Sequence, residues 1–173
     1  VLFRSAGSTI NFGSGNVTTP FYSNIALIVK YSSSGTCSGI FIPSLSNNLT
    51  SFSGIDISSD GNIVCCGNIS SGTHNFGSGQ FTTTGGTIFA RYSNSLSSIL
   101  VVPNSSGGTY NGIASTQTTP SKSVCVGSLA SSSYIDIYNI DGTISKSLSP
   151  SSASTHSLNN VSCNASIISC AGS

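Results

Sequence analysis

The sequence predicts an all-β protein built from three repeats, each with about four short strands. Short apolar runs alternate with segments rich in glycine, serine and asparagine, which is typical of strands joined by turns. No segment shows a sustained helical periodicity of apolar residues with capping signals. The third observation is an internal similarity with a period of about 60 residues. A repeated strand unit therefore explains the pattern best.

The repeat is clearest in a strand-like run that ends in glycine. The glycines of its four copies lie 60, 60 and 45 residues apart. Three of the copies carry a cysteine two residues before the glycine. The copies are Val1–Gly7, Asn62–Gly67, Ser123–Gly127 and Ile167–Gly172.

Two further segments recur after this glycine. The first two repeats share Asn-Phe-Gly-Ser-Gly at residues 11–15 and 75–79, followed by threonines. Next comes an apolar strand that ends in a basic residue and a tyrosine, Lys30-Tyr31 in one repeat and Arg91-Tyr92 in the next. The third repeat has the strand 134–138 in this place but lacks the glycine-rich segment, which accounts for its shorter length.

The repeats divide the chain into four parts. Residues 1–7 form the last strand of a preceding repeat, and repeats 1, 2 and 3 cover residues 8–67, 68–127 and 128–173. Four strands in 45–60 residues is typical of a propeller blade. Three blades are fewer than the roughly four that a closed propeller needs. The sequence therefore predicts three four-stranded, propeller-blade-like repeats in an open array, or in one completed by further repeats or another subunit.

The repeat resembles that of bacterial extracellular seven-bladed β-propeller proteins. The resemblance rests on NFGSG, on the strand ending in Lys/Arg-Tyr, and on GIDISSDGNIVCCG at residues 54–67. Residues 54–79 match the pattern of that family well, and the other repeats match it in part. The aromatic residue that the family often carries after the tyrosine strand is missing. The resemblance implies a fold more than a function, because propellers serve many roles.

Charged residues make up only 5% of the chain, with a net charge of +1, against about 25% in typical domains. The five basic residues are dispersed along the sequence, which argues against nucleic-acid binding through phosphate neutralisation. No apolar stretch is long enough for a membrane span. Low charge gives little protection against association, so we expect either glycans that keep the protein soluble or assembly into a fibre.

The six cysteines favour disulfides and an extracellular or cell-surface location. Buried free thiols are the alternative, since cysteine packs well as a small apolar residue. No pair has the two- to four-residue spacing typical of zinc ligands, so we expect no metal site. The disulfide candidates are Cys37, Cys65, Cys66, Cys125, Cys163 and Cys170.

Six asparagines lie in N-glycosylation sequons. In a chain this rich in serine and threonine, chance alone predicts about five, so only the solubility argument favours occupancy. We expect at least two to be modified, with Asn16 and Asn68 foremost. The candidates are Asn16, Asn48, Asn68, Asn104, Asn160 and Asn164.

The sequence does not predict an enzyme. Its two histidines, His74 and His156, and its four aspartates form no recognisable catalytic motif, and glutamate is absent. Asp56, Asp60 and Asn62 could supply oxygen ligands to calcium, but a hairpin turn at Asp60 explains them better. We therefore expect no catalytic residues, no metal site and no cofactor.

Two classes of function remain. The first is a structural subunit of an extracellular filament or surface coat, in which copies pair head to tail through the assembly strand Val1-Leu2-Phe3. The second is a secreted propeller that binds carbohydrate or protein through its loops. Low charge and the phase of the terminal strands favour the first class, and the family resemblance favours the second.

Overall fold

The computed structural model describes residues 9–18, 26–45, 50–105, 107–129, 132–150 and 156–173 and contains strands and turns but no helix in these ranges. The all-β prediction is confirmed. The fifteen strands are β1 (Thr9–Asn11), β2 (Asn16–Thr18), β3 (Ile28–Tyr31), β4 (Cys37–Phe41), β5 (Ser44–Leu45), β6 (Thr50–Ile57), β7 (Ile63–Asn75), β8 (Gln80–Tyr92), β9 (Ser98–Asn104), β10 (Thr109–Ser115), β11 (Ser123–Leu129), β12 (Ser132–Tyr138), β13 (Ile144–Leu148), β14 (Leu158–Cys163) and β15 (Ile168–Gly172).

The strands form antiparallel, blade-like sheets in chain order. Sheet I consists of β3 and β4, and the hairpin β1–β2 lies beside it. Sheet II has the order β6-β7-β8-β9, with the short β5 next to β6 on the same edge of β7. Sheet III has the order β10-β11-β12-β13, and sheet IV consists of β14 and β15. Sheets II and III are therefore the two complete four-stranded blades among the described residues.

Successive sheets pack face to face. Sheets I and II meet at junction A, sheets II and III at junction B, and sheets III and IV at junction C, each filled by its own buried apolar cluster. Side chains alternate between the two faces of a strand, so Ile63 and Cys65 enter junction A while Val64 and Cys66 enter junction B. This two-sided burial explains the continuous apolar runs in the central strands.

In sheets II and III the repeated glycine lies within a strand, opposite a β-bulge, and not at the end of the strand. Gly67 pairs with Phe52, and Gly127 pairs with Tyr110, and the register shifts directly after each partner. The bulge brings the first strand of the sheet so close that a Cβ on Gly67 would overlap the carbonyl oxygen of Ser51. Because only glycine lacks a Cβ, the same residue recurs at this point in sheets II and III, and at Gly172 in sheet IV.

The hairpin turns repeat as well. Four five-residue turns share the same two backbone hydrogen bonds, as in Ser58 N–H to Asn62 O at 2.9 Å and Gly61 N–H to Ser58 O at 2.8 Å. In each turn the fourth residue has a left-handed conformation, which favours glycine. These residues are Gly35, Gly61, Leu96 and Gly142.

The sheets do not begin and end at the repeat boundaries given by the sequence. Sheet II spans residues 50–104, so the boundary at residue 67 lies within its second strand. Sheet III spans 109–148, and the boundary at residue 127 again lies within the second strand. The assembly strand Val1-Leu2-Phe3 lies outside the described residues. No helix of the described chain has the length and hydrophobicity needed to cross a membrane.

Replacing Gly127 by alanine should destabilise the protein, because the added Cβ would overlap the carbonyl oxygen of Thr109 in the adjacent strand. We expect a loss of about 1–3 kcal/mol in the free energy of unfolding, measured by urea denaturation. Gly112→Ala is the control in the same sheet, because its Cβ would come no closer than 3.2 Å, to the carbonyl oxygen of Asn159. Equal losses in the two variants would contradict the bulge explanation.

Candidate functional site

The basic residue before each repeated tyrosine connects one sheet to a turn of the next. The Lys30 ammonium donates to the carbonyl oxygen of Asn94 at 2.7 Å, across junction A. The Arg91 guanidinium donates to the carbonyl oxygen of Ile140 at 3.1 Å, across junction B. Asn94 and Ile140 occupy the same position in equivalent turns. The Lys/Arg-Tyr motif is therefore a repeated contact between neighbouring sheets.

Arg91 also forms an ion pair with Asp60 in the turn between β6 and β7. Burial opposes ionisation of Asp60, but hydrogen bonds from Ser58 and Asn62 and the charge of Arg91 outweigh it and lower the pKa of this carboxyl. The Asp60 side chain remains partly exposed, so the pair is partly screened by solvent. Its role is to hold the guanidinium in place between two turns.

A second set of inter-sheet contacts joins β6 and β7 of sheet II to β10 of sheet III. The Asp56 carboxylate accepts a hydrogen bond from the backbone N–H of Ser115 at 2.7 Å. The Asn68 side-chain oxygen accepts a hydrogen bond from the backbone N–H of Tyr110 at 3.1 Å. Both bonds cross junction B, so side chains of sheet II satisfy backbone donors of sheet III.

Junction B contains a polar cluster that the sequence analysis did not anticipate. Asp136 is fully buried, and its carboxylate accepts hydrogen bonds from Tyr110 OH at 2.5 Å, Tyr134 OH at 2.5 Å and the hydroxyl of Ser147. Tyr138 OH lies 2.8 Å from Tyr110 OH. Burial, with smaller contributions from neighbouring acidic groups, raises the pKa of Tyr110 far above its usual range. Tyr110 therefore stays protonated and acts as a donor to Asp136.

The alternation Tyr-Ile-Asp-Ile-Tyr in residues 134–138 is the sequence pattern that indicates this cluster. Residues two apart in a strand share a face, so one face of β12 carries Tyr134, Asp136 and Tyr138. Tyr138 also stacks on Phe89 of sheet II, with ring centroids 4.4 Å apart. A buried carboxylate that receives several hydroxyl donors is typical of a structural network.

At junctions A and B a large side chain on one sheet packs against a glycine on the adjacent sheet. The large residue lies in a turn at junction A and on a strand at junction B. At junction A the bulky residue is Leu96 in a turn, and its Cδ1 lies 2.9 Å from the position of a Cβ on Gly39. At junction B the turn carries Gly142, and a Cβ there would overlap Leu100. Leu100 occupies the same strand position as Gly39. Each junction therefore has one large residue at this point.

All six cysteines are free thiols in the structure, so none of the predicted disulfides is formed in it. Cys65 and Cys66 are adjacent on β7 and enter different junctions. Cys163 and Cys170 lie on the paired strands β14 and β15, and Cys170 is exposed. Cys125 faces junction B together with Cys66. Cys37 lies at the outer face of sheet I.

The sequon asparagines differ in accessibility. Asn16, Asn160 and Asn164 are exposed, and the side chain of Asn164 organises the turn between β14 and β15. Asn68 and Asn104 are half-buried, Asn68 through its bond to Tyr110 and Asn104 through a bond to Tyr134 OH at 3.1 Å. The side chain of Asn48 lies outside the described residues.

The histidines and aspartates do not come together as a group. His74 is buried between Phe76 and Phe81, and its Nε2 lies 3.0 Å from the carbonyl oxygen of Ser70. Within the described ranges no three histidine, cysteine or acidic side chains are arranged to hold a metal ion. Asp60, considered as a calcium ligand, is bound to Arg91.

The strand β15 forms an exposed sheet edge that carries apolar residues. It pairs with β14 along one side, and all five of its residues are exposed. Ile167 and Ile168 have exposed fractions of 60% and 41%. The equivalent strands β7 and β11 are instead paired on both sides and largely buried.

Neither a scan of protein-family models nor a search of curated proteins gives a match for this sequence. The resemblance to extracellular propeller repeats therefore stays a prediction, and the function has to be inferred from the geometry described above.

The reversed packing at junctions A and B predicts coupling between Leu100 and Gly142. Leu100→Gly should leave a cavity, and Gly142→Leu should clash with Leu100, each costing roughly 2–4 kcal/mol of unfolding free energy. In the double variant the new leucine fills the space left by the old one, as Leu96 does above Gly39. We expect the double variant to lose at least about 1 kcal/mol less than the sum of the single losses, measured by urea denaturation.

Gly35→Leu is the control for this cycle. It places leucine at the same left-handed turn position, but with no atom within 4 Å of its Cβ. Its effect should add to that of Leu100→Gly without coupling. Coupling of the same size in both cycles would contradict direct packing between Leu100 and residue 142.

Proposed function

We propose that this chain is a structural subunit of an extracellular filament or surface coat, in which the exposed edge of β15 pairs with a strand of another copy. The observation that carries the proposal is the edge itself. In the part of the chain that the structure describes, β15 has a strand on one side only. Such an edge offers backbone donors and acceptors to which another chain can add a strand.

The composition of β15 supports this role. Sheet edges are commonly protected by proline or by charged side chains. The outer strand β9 contains Pro103, and the outer strand β13 contains Lys146. β15 has the sequence Ile-Ser-Cys-Ala-Gly, with neither proline nor charge. It therefore lacks the features that discourage pairing on the outer strands β9 and β13.

The incoming strand would occupy the side on which the equivalent central strands β7 and β11 are paired in sheets II and III. β7 pairs with β8, and β11 pairs with β12, on the side that β15 leaves exposed. We propose Val1-Leu2-Phe3, predicted from the sequence as the assembly strand, for this position in a second copy. Such a head-to-tail contact is heterologous and extends into rings or filaments. A net charge of +1 gives little repulsion between copies.

A secreted binding module is the second candidate, and one observation favours it. β7 and β8 each have 13 residues and pair along their whole length. β6 and β9 accompany them only as far as Ile69 and Thr87. The hairpin therefore extends beyond β6 and β9, although β5 pairs with β7 at His74 and Asn75, and it carries a pair of threonines, Thr73 and Thr82, bonded at 3.0 Å. A protruding loop of this kind could contact carbohydrate or protein.

Ile168→Lys should abolish assembly, because a charged side chain on an exposed edge disfavours strand addition. The measurement is light scattering of the full chain against concentration, with negative-stain electron microscopy of the products. A reducing agent in all samples prevents cross-linking through the exposed Cys170. We expect concentration-dependent ordered polymers from the unmodified protein and monomers from the variant.

Ile140→Lys is the matched control. Ile140 and Ile168 have the same exposed fraction, 41%, but Ile140 lies in a turn. This variant should assemble like the unmodified protein. A stable monomer of the unmodified chain at high concentration, or ordered polymers of Ile168→Lys, would contradict the structural role. Either result would make the binding module the better interpretation.

We further propose that the subunit is secreted and carries N-linked glycans, which would keep a weakly charged protein soluble before assembly. The exposed Asn16 is the best acceptor. Asn68 is a poorer acceptor than its sequon suggests, because its side-chain oxygen is bonded to the backbone of sheet III.

Expression in a secreting eukaryotic host tests this proposal. Asn16→Gln should remove one glycan mass from the intact protein, whereas Asn68→Gln should leave the glycan mass unchanged. An unmodified 17.5 kDa chain, or loss of a glycan only from Asn68→Gln, would contradict it.

A further inference from the structure

Two cysteines from different sheets face each other in junction B. Cys66 lies on β7 and Cys125 lies on β11, the second strands of sheets II and III. Both side chains belong to the same apolar cluster and have an exposed fraction of 0%. The Cys66 thiol lies near enough to contribute, after burial, to the raised pKa of the Cys125 thiol. The two residues are 59 positions apart in the sequence.

The repeat places these two strand positions opposite each other at each junction. Among the described residues, both positions are cysteines only at junction B. Cys125 is the equivalent of Cys65, and both face the preceding sheet. Cys66 is the equivalent of Val126, and both face the following sheet. At junction C the position equivalent to Cys66 is thus a valine. The cysteine at residue 66, where the next repeat has Val126, is what gives junction B a pair of thiols.

We propose that Cys66 and Cys125 form a disulfide that links sheets II and III under oxidising conditions. The inference goes beyond the proposed structural role and does not depend on it, because it concerns the folded chain alone. In the structure both cysteines are free thiols, and they lie in the same buried cluster between sheets II and III.

The bond would form by thiol–disulfide exchange with a small disulfide such as oxidised glutathione. One thiol loses its proton, and the thiolate attacks the small disulfide, which gives a mixed disulfide and one glutathione thiol. The second protein thiolate then attacks the mixed disulfide and releases the second glutathione. Two protein thiols are oxidised and one glutathione disulfide is reduced to two thiols.

The burial of junction B determines when this exchange can occur. Burial, with hydrogen bonding to Cys66 and the charge of neighbouring groups, raises the pKa of Cys125 well above its usual value. Since the thiolate is the attacking species, the closed junction should react slowly. We therefore expect oxidation during folding, or when sheets II and III separate transiently.

The test is refolding of the full reduced chain from denaturant in a glutathione buffer, followed by alkylation, proteolysis and mass spectrometry. We expect one predominant cross-linked peptide pair, which contains Cys66 and Cys125. The other four cysteines should be alkylated. Folded reduced protein exposed to the same buffer should form the link at least tenfold more slowly. Oxidation should raise the midpoint of thermal unfolding by about 10 °C, because the link closes a long loop.

Cys66→Val, which copies the residue at position 126, should abolish the cross-link and the increase in the midpoint. Cys65→Ala is the matched control, since it changes the adjacent buried cysteine that faces junction A, and it should retain both. Should a variant fail to fold, peptide mapping of the unmodified chain still decides the question. Refolded protein with both thiols alkylated, or with Cys66 or Cys125 linked to another cysteine, would overturn the proposal.

Discussion

A sheet that lies between two neighbours has to be apolar on both faces, and this constraint shapes every central strand of the protein. Successive residues of β7, such as Val64 and Cys65, are buried in different junctions, so neither face of the strand can carry solvent-exposed polar groups. Charged residues on central strands, such as Arg91 on β8 and Asp136 on β12, are buried and bonded to other groups of the protein. Lys30, Arg91 and Asp56 all bond to a neighbouring sheet, which explains how a chain with 5% charged residues uses its charge mainly for internal contacts.

The strand content and the repeat were predictable because they depend on local pattern. The turn at Asp60-Gly61 followed from turn chemistry, and the recurring glycine was found by its spacing. Its physical role was not predictable, since the bulge that requires Gly67 lies on another strand, opposite Phe52. For the same reason, the sequence did not indicate that the recurring glycine lies in the second strand of each complete sheet. A glycine inside a strand and a glycine that ends one look alike until the pairing is known.

The candidate site was predictable to a smaller extent. The Lys/Arg-Tyr motif was recognised, but its partners are backbone carbonyls of distant turns, which have no sequence signature. The cluster around Asp136 depends on Tyr110 from another strand. Leu96 departs from the turn rule, with a φ of 64° where the equivalent residues are glycines. Its side chain fills the space above Gly39 in the adjacent sheet, so a long-range contact outweighs a local preference of roughly 1–2 kcal/mol.

The reversed placement of leucine and glycine at junctions A and B has a consequence for the history of the repeats. Had each unit kept the same residues after duplication, any unit could follow any other. A unit with a leucine in its turn now fits only after one with a glycine in its last strand. Exchange of units by recombination would bring two leucines together or leave a void. The linear order of the units is thereby fixed by shape, and copies that diverged in this way can no longer be shuffled.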